Sequence, residues 1–124
     1  MPRKWTSERP IPCPGKPRLG NRPLLSGEQA TRLMRLFKVL ANDTRLRLLH
    51  ALVRAGELCV SDLAQTLNMR PQAVSNQLQR LADRGILSAL RHGNHIRYRV
   101  VDPCVENLID RGLCLMEDAQ LRQG

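Results

Sequence analysis

Apolar positions repeat at helical spacing in the first half of the 124-residue chain. Ser26 begins the first repeat and Gln29 follows three residues later, which is the spacing of a capping box. The apolar stripe of this helix is Ala30, Leu33, Met34, Phe37 and Leu40. Asn42 or Asp43 caps a second helix that Gly56 ends. The residues of the second helix expected to point inward are Leu46, Leu49, Leu52 and Val53.

Two further helices are predicted between residues 61 and 85, with a tight turn between them. Ser61 is the expected cap of the first, and Asn68 tolerates the left-handed turn that ends it. Pro71 suits the start of the next helix because its missing N–H is not needed there, and Gly85 is placed to end that helix. Its apolar stripe is Val74, Leu78 and Leu81. Its opposite face carries Gln72, Ser75, Asn76 and Gln79.

A β-hairpin is predicted next, from Ile86–Arg91 and His95–Val100, with the turn at His92-Gly93-Asn94. Alternation in the second strand predicts that Ile96, Tyr98 and Val100 face the core, and that His95, Arg97 and Arg99 face outwards. A short strand at Leu58–Val60 is expected beside the hairpin. A last helix follows the hairpin.

That last helix is predicted from Asp102 to about Gln120, with Asp102 as cap and Pro103 as first residue. Its apolar face is Val105, Leu108, Ile109, Leu113 and Met116. The fold class is therefore mainly α with a small β-hairpin, a winged helix-turn-helix (α+β). Residues 26–120 form the folded domain. Residues 1–25, with six prolines and six basic residues against one acid, are expected to form a flexible basic arm.

The net charge, length and cysteine content of the chain limit the classes of partner, assembly and location that are expected. Twenty basic against eleven acidic residues give a net charge of +9, which favours a polyanion, nucleic acid before membrane. A chain this short builds a modest core, so apolar stripes in excess of it predict a dimer. There is no apolar run of membrane-spanning length and no apolar signal-peptide region, which indicates a cytoplasmic protein. Cysteines 13, 59, 104 and 114 have no CxxC spacing and are expected to be reduced thiols.

From about Met34 to Asp118 the chain resembles the ArsR/SmtB family of winged-helix metal-sensing repressors. The segments that carry the resemblance are LFKVLANDTRLRLLHAL, ELCVSDLAQTLN, AVSNQLQRLADRGIL and RHGNHIRYRV. It implies a homodimer that binds double-stranded operator DNA and releases it on binding an inducer. The operator of such a dimer is expected to be an inverted repeat. The residues expected to contact DNA are Arg70, Gln72, Ser75, Asn76 and Gln79 on the second helix of the pair, and Arg91, His92, His95 and Arg97 on the wing.

The inducer site is predicted on the last helix. Cys104 and Cys114 are ten residues apart, so about 15 Å along the axis, too far for one metal ion or an intrachain disulfide. If two copies of this helix pair antiparallel and cross near Ile109, Cys104 of one chain approaches Cys114 of the other. Asp102 and Asp118 then lie near the same two places. Two shared sites per dimer follow.

The family's zinc pattern on this helix is an acid, a histidine two residues later, and a histidine and an acid near its end. Asp102 and Asp118 match the two acids. Cys104 stands at the first histidine position, and Leu115 stands at the second with Cys114 beside it. Thiolate in place of imidazole favours softer ions, so zinc, cadmium, lead or arsenite are the candidate inducers. None is required for folding.

Alternatives remain open at this point. Cys59 matches the first cysteine of a second family site, a Cys-Val-Cys pair, but Ser61 replaces the other. Oxidation or sulfide could switch the same repressor through Cys104 and Cys114, or these residues could only pack at the dimer interface. A nonspecific architectural DNA-binding protein is a further class. An enzyme is not expected, since no phosphate loop, HExxH or GxSxG motif occurs.

Overall fold

The computed structural model describes residues 15–123, so Cys13 and most of the predicted arm lie outside the described residues. Residues 15–25 are exposed and include one short 3-10 helix, Leu19–Asn21. The elements that follow are α1 (Gly27–Leu40), α2 (Asp43–Ala55), β1 (Leu58–Cys59), α3 (Val60–Leu67), α4 (Pro71–Asp83), β2 (Leu87–His92), β3 (His95–Val100) and α5 (Pro103–Gln123). The predicted winged helix-turn-helix is confirmed: α3 and α4 form the helix pair, and β2 and β3 form the wing.

Helix starts follow local capping chemistry at three of the four positions where the sequence predicts a side-chain cap. Ser26 and Gln29 form the capping box of α1, with both hydrogen bonds at 3.1 Å. Asn42 caps α2, and Asp102 accepts the N–H of Cys104 at 2.8 Å at the start of α5. The predicted Ser61 cap is wrong. Helix α3 begins at Val60 directly from β1, and the Ser61 hydroxyl lies 3.2 Å from the Cys59 sulfur instead.

The helix-turn-helix geometry is fixed by three backbone features that the sequence predicts. Asn68 has φ 54° and ψ 54°, which reverses the chain after α3. Pro71 occupies the start of α4, where no intrahelical N–H bond is lost. Gly85 follows α4 with φ 76°, a conformation that side chains rarely adopt. Both helices are therefore placed by turns that tolerate little change.

The core lies between α2, α3, α4 and the sheet. Leu48, Leu49, Leu52 and Leu63 are fully buried, as is the predicted α4 stripe of Val74, Leu78 and Leu81. Leu46 was expected inside and is 38% exposed, while Leu48 takes its place. The reason is geometric, because the start of α2 faces the open groove beside α5 rather than the helix pair.

The sheet has the order β1-β3-β2 and is antiparallel throughout. His92 pairs with His95, so the turn is the two residues Gly93 and Asn94 rather than the predicted three. Tyr98 is buried as predicted, but Ile96 is 39% exposed. It lies one residue pair from the turn, beyond the reach of the core.

One face of the protein is apolar and open to solvent. Leu33, Met34 and Phe37 of α1 and Leu113 and Met116 of α5 are each 40–55% exposed. A groove of about 550 Å³ runs between α1, α2 and α5. This is the surface that the sequence predicts one copy cannot cover. Among residues 15–123, none of the helices combines the length and apolar character needed to cross a bilayer.

Candidate nucleic-acid interface and sensing helix

The polar face of α4 is presented to solvent because the opposite stripe is completely buried in the core. Gln72, Asn76 and Gln79 are exposed, and Ser75 is half-buried. The Gln72 amide donates to Asn76 Oδ1 at 3.1 Å, and the Gln79 amide donates to Asp83 Oδ1 at 2.9 Å. Such amide rows present both donors and acceptors to the edges of base pairs.

The start of α4 adds a positive end to this face. Arg70 is the N-cap residue; it is exposed and makes no capping hydrogen bond with its side chain. The first N–H groups of the helix have no intrahelical partner and carry the positive end of the helix dipole. A DNA phosphate is the ligand that suits this arrangement.

The wing divides the four residues predicted for it between two faces. Paired residues of an antiparallel sheet share a face, so His92 and His95 lie on the same side, which Arg97 also occupies. Arg91 pairs with Ile96 and lies on the other side, the one that buries Tyr98. Arg91, His92 and His95 are exposed and Arg97 is half-buried, but only His92, His95 and Arg97 share one surface.

Helix α5 carries the predicted sensing residues. Ten helical residues place Cys104 and Cys114 about 15 Å apart along the axis and about 80° apart around it, so both lie on one side. Both are half-buried, as is Asp118, one turn beyond Cys114. Asp102 uses one carboxylate oxygen as the helix cap. Within residues 15–123, no three His, Cys, Asp or Glu side chains come together closely enough to hold a metal ion.

The cysteines differ in redox state. Cys104 is disulfide-bonded. Cys59 and Cys114 carry thiols. The expectation of reduced thiols throughout is therefore wrong for Cys104, whereas the exclusion of an intrachain Cys104–Cys114 disulfide is consistent with the structure.

Comparison with known proteins assigns the chain. Residues 42–89 match the family model of bacterial regulatory proteins of the arsR family. The SmtB homolog of Synechocystis, a transcriptional repressor, is 39% identical over 85 residues, which are 68% of this chain and 64% of that protein. The crystal structure of the antimony-specific repressor AntR superposes with a TM-score of 0.74 and 61% identity, covering 88% of this chain and 98% of that one. The chain belongs to the ArsR family.

Family membership makes the chain a transcriptional regulator with a DNA-binding winged helix, and not an enzyme. A homodimeric winged helix-turn-helix DNA-binding domain from Mycobacterium bovis superposes with a TM-score of 0.65 and 29% identity, covering 78% of this chain and 92% of that one. The predicted resemblance and fold class are thus confirmed.

A carboxylate that the sequence did not single out lies beside the wing of this ArsR-family chain. Glu57, just before β1, lies 3.7 Å from Arg97 Nη1 and 3.9 Å from His92 Nε2. Nothing in the local sequence marks it, because both partners are at least 35 residues away. An acid beside two residues predicted to contact DNA competes with phosphate for them.

We expect Glu57→Gln to tighten DNA binding. The substitution removes a half-exposed ion pair, worth at most about 1 kcal/mol or about fivefold in affinity, and releases Arg97 to a phosphate. The gain applies to all sequences and steepens the dependence of affinity on salt. Fluorescence anisotropy at several salt concentrations measures both the DNA affinity and its dependence on salt. Glu28→Gln, an exposed acid in α1, is the control; equal gains from both variants would contradict a specific role for Glu57.

Proposed function

We propose that this chain is a homodimeric repressor that binds an inverted-repeat operator through α4 and the wing, and that a thiophilic ion releases it. The observation that carries the proposal is the placement of Cys104 and Cys114. They lie on one side of α5 but too far apart to share an ion within one chain. The helix that holds them also borders the open apolar face, where a second chain supplies the missing ligand.

The DNA-binding step uses two kinds of contact. Gln72, Asn76 and Gln79 read base edges in the major groove, with Ser75 close to them. Arg70 and the wing residues His92, His95 and Arg97 neutralise phosphates, and Arg91 does so from the other face of the wing. The charge of +9 supports the second role, and the absence of an acid on α4 before Asp83 supports the first.

The dimer forms through α1 and α5. Covering the exposed apolar side chains of these helices with a second copy removes them from water, which is the main driving force for such association. Gly112 borders the groove, and nothing lies within 4 Å of where its Cβ would be, so a partner helix has room to approach. A two-fold dimer then presents its α4 helices to major grooves about one turn apart.

We expect Leu113→Glu to convert the dimer to a monomer at micromolar concentration. The residue lines the groove, and a charge there remains desolvated unless the partner leaves. Sedimentation velocity measures the change. Ile96→Glu is the matched control, because Ile96 is similarly exposed on the wing and its substitution leaves association unchanged. A Leu113→Glu dimer as tight as the wild type would contradict this interface.

The inducer proposed is a trivalent metalloid, antimony or arsenic, or another thiophilic ion such as cadmium, lead or zinc. When Cys104 is reduced, it and the partner subunit's Cys114 supply thiolates, and Asp102 or Asp118 supplies an oxygen. Two sulfurs without histidine fit a soft ion better than zinc. The similar AntR repressor is antimony-specific, which supports antimony as the first candidate to test.

Binding releases DNA only if the ion prefers the arrangement of the two chains that does not fit the operator. Ligands from both chains fix the angle between the halves, and hence the spacing of the two α4 helices. A coupling of roughly 1–3 kcal/mol would weaken operator binding by about 5–150-fold.

A second candidate is a thiol-based redox or sulfide switch of the same fold. The specific observation in its favour is that Cys104 is disulfide-bonded. In this case oxidation of Cys104, rather than ion binding, would change the arrangement of the chains. The DNA-binding surface and the dimer are the same in both proposals.

The test is a footprint on the DNA upstream of the gene for this chain, in reductant, with antimonyl tartrate, arsenite, cadmium or zinc added singly, and separately with oxidant. We expect protection of an inverted repeat, removed by antimonyl tartrate or arsenite. Release by oxidant alone would support the redox switch instead. Equal binding to every duplex would identify a nonspecific architectural protein and contradict the repressor.

A further inference from the structure

Arg45 joins three helices through its guanidinium group. It lies near the start of α2 and is half-buried. Its Nε donates a hydrogen bond to Gln77 Oε1 on α4 at 2.8 Å, and its Nη1 donates to the Val39 carbonyl at the end of α1 at 2.9 Å. Its own N–H donates to the Asn42 cap at 3.0 Å, which fixes where the side chain begins.

The bond to Val39 completes the end of α1. The last carbonyls of a helix have no intrahelical partner and carry its negative end. The neighbouring carbonyls of Phe37 and Leu40 accept backbone N–H groups of Ala41 and Asn42. Arg45 supplies the donor for Val39, and its positive charge lies at the favourable end of the helix dipole.

The bond to Gln77 reaches the recognition helix. Helix α4 packs mainly against α3 and β2, which belong to the DNA-binding half of the fold. Gln77 lies next to Asn76, one of the residues proposed to read base edges. The Arg45 hydrogen bonds therefore connect the base-reading helix α4 to the end of α1.

The same end of α1 borders the dimer face. Phe37, two residues before Val39, lines the apolar groove together with Leu108 and Met116 of α5. A continuous route thus runs from α5, through the last turn of α1 and the Arg45 guanidinium, to Gln77 on α4. Both hydrogen bonds use one rigid planar group, so a shift at one end changes the geometry at the other.

We infer that Arg45 is a positioning residue that couples the arrangement of the two chains to the placement of the recognition helix. It contacts neither DNA nor the ion. This inference rests on the proposed function, because it requires a dimer that binds an operator and releases it. The quantity that reports this coupling is the release ratio, which is the operator affinity without the probe divided by the operator affinity with it.

The experiment compares variants of the full chain with antimonyl tartrate as the probe. Gln77→Ala removes the acceptor, and Gln77→Glu keeps an acceptor for the same guanidinium. Arg45→Lys keeps the positive charge but removes the planar guanidinium group that makes both hydrogen bonds. Arg54→Met, an exposed arginine at the other end of α2, is the control for loss of an arginine on this helix. Thermal unfolding and probe binding to free protein are measured beside DNA binding.

We expect a wild-type release ratio of about 5–150. In Gln77→Ala and Arg45→Lys the ratio falls toward one and specific operator affinity falls, while probe binding to the free dimer is unchanged. Gln77→Glu and Arg54→Met both keep the wild-type release ratio. A purely structural residue would lower the unfolding temperature without changing the ratio.

Two results overturn the inference in distinguishable ways. Wild-type protein that releases its operator, together with Gln77→Ala that releases it by the same ratio, contradicts the role of Arg45 alone. Wild-type protein that shows no operator preference or no release contradicts the proposed function, and the inference fails with it. Because Gln77 is half-buried at the helix surface, its alanine variant is expected to fold even if Arg45 variants do not.

Discussion

Cys104→Ser is expected to abolish release of DNA by antimonyl tartrate or arsenite, while operator affinity without the ion stays the same. A serine hydroxyl keeps the shape of the side chain but is a hard, protonated oxygen that does not replace a thiolate for a soft ion. The whole effect of the ion, about 5–150-fold in operator affinity, is lost. Anisotropy titrations with and without the ion, in reductant, measure it. Cys114→Ser is expected to behave in the same way.

Cys59→Ser is the matched control for this prediction. Cys59 keeps its thiol, which donates to Asp62 at 3.1 Å, and it lies beside α3 rather than on α5. The serine variant at this position is expected to release DNA like the wild type. Loss of release in Cys59→Ser, with normal release in Cys104→Ser, would move the sensing site away from α5.

Alanine at Gln72 or Asn76 is expected to weaken binding to the specific operator by about 1–3 kcal/mol, which is about 5–150-fold. Each side chain offers a donor and an acceptor to a base edge, and the two are hydrogen-bonded to each other. Their losses are therefore not additive. Competition anisotropy with operator and scrambled duplexes separates specific from nonspecific binding.

Arg97→Ala provides the contrast, because a phosphate contact carries no sequence information. It should weaken binding to operator and scrambled DNA alike and flatten the salt dependence.

Gln65→Ala on the exposed side of α3 controls for the loss of a glutamine from a helix. Unchanged operator affinity in the Gln72/Ser75/Asn76 triple alanine variant would contradict the assignment of α4.

Local chemistry explains why most elements were predictable. The Ser26, Asn42 and Asp102 caps, the left-handed Asn68 and the first-turn Pro71 each depend on a few neighbouring residues, and the structure confirms them. Predictions failed at positions where tertiary packing, rather than the local sequence, decides the role or the burial of a side chain. Ser61 is inside α3 because β1 runs directly into that helix, and Leu46 is exposed because the start of α2 faces the open groove.

The candidate site was predictable in composition but not in geometry. Helical periodicity suffices to place the amides of α4 on one face. Arg91 lies on the opposite face of the wing from His92 and Arg97 because of the exact strand register. A shift of the register by one residue would move every side chain of the strand to the other face. The contacts of Glu57 with His92 and Arg97, and of Arg45 with Gln77, join residues that are 32 or more positions apart, and no local pattern encodes such contacts. The DNA-contacting and ion-binding roles stay predictions.

The most direct test of the central claim is to mix Cys104→Ser and Cys114→Ser chains, each inactive alone, in reductant and allow the dimers to exchange. Each mixed dimer pairs one intact Cys104 with the partner subunit's Cys114. We expect about half of the dimers to recover tight binding of one trivalent antimony or arsenic ion, with partial release of operator DNA. If mixing recovers neither binding nor release, while oxidant still releases DNA from the wild-type protein, the shared ion site is contradicted and the redox switch replaces it.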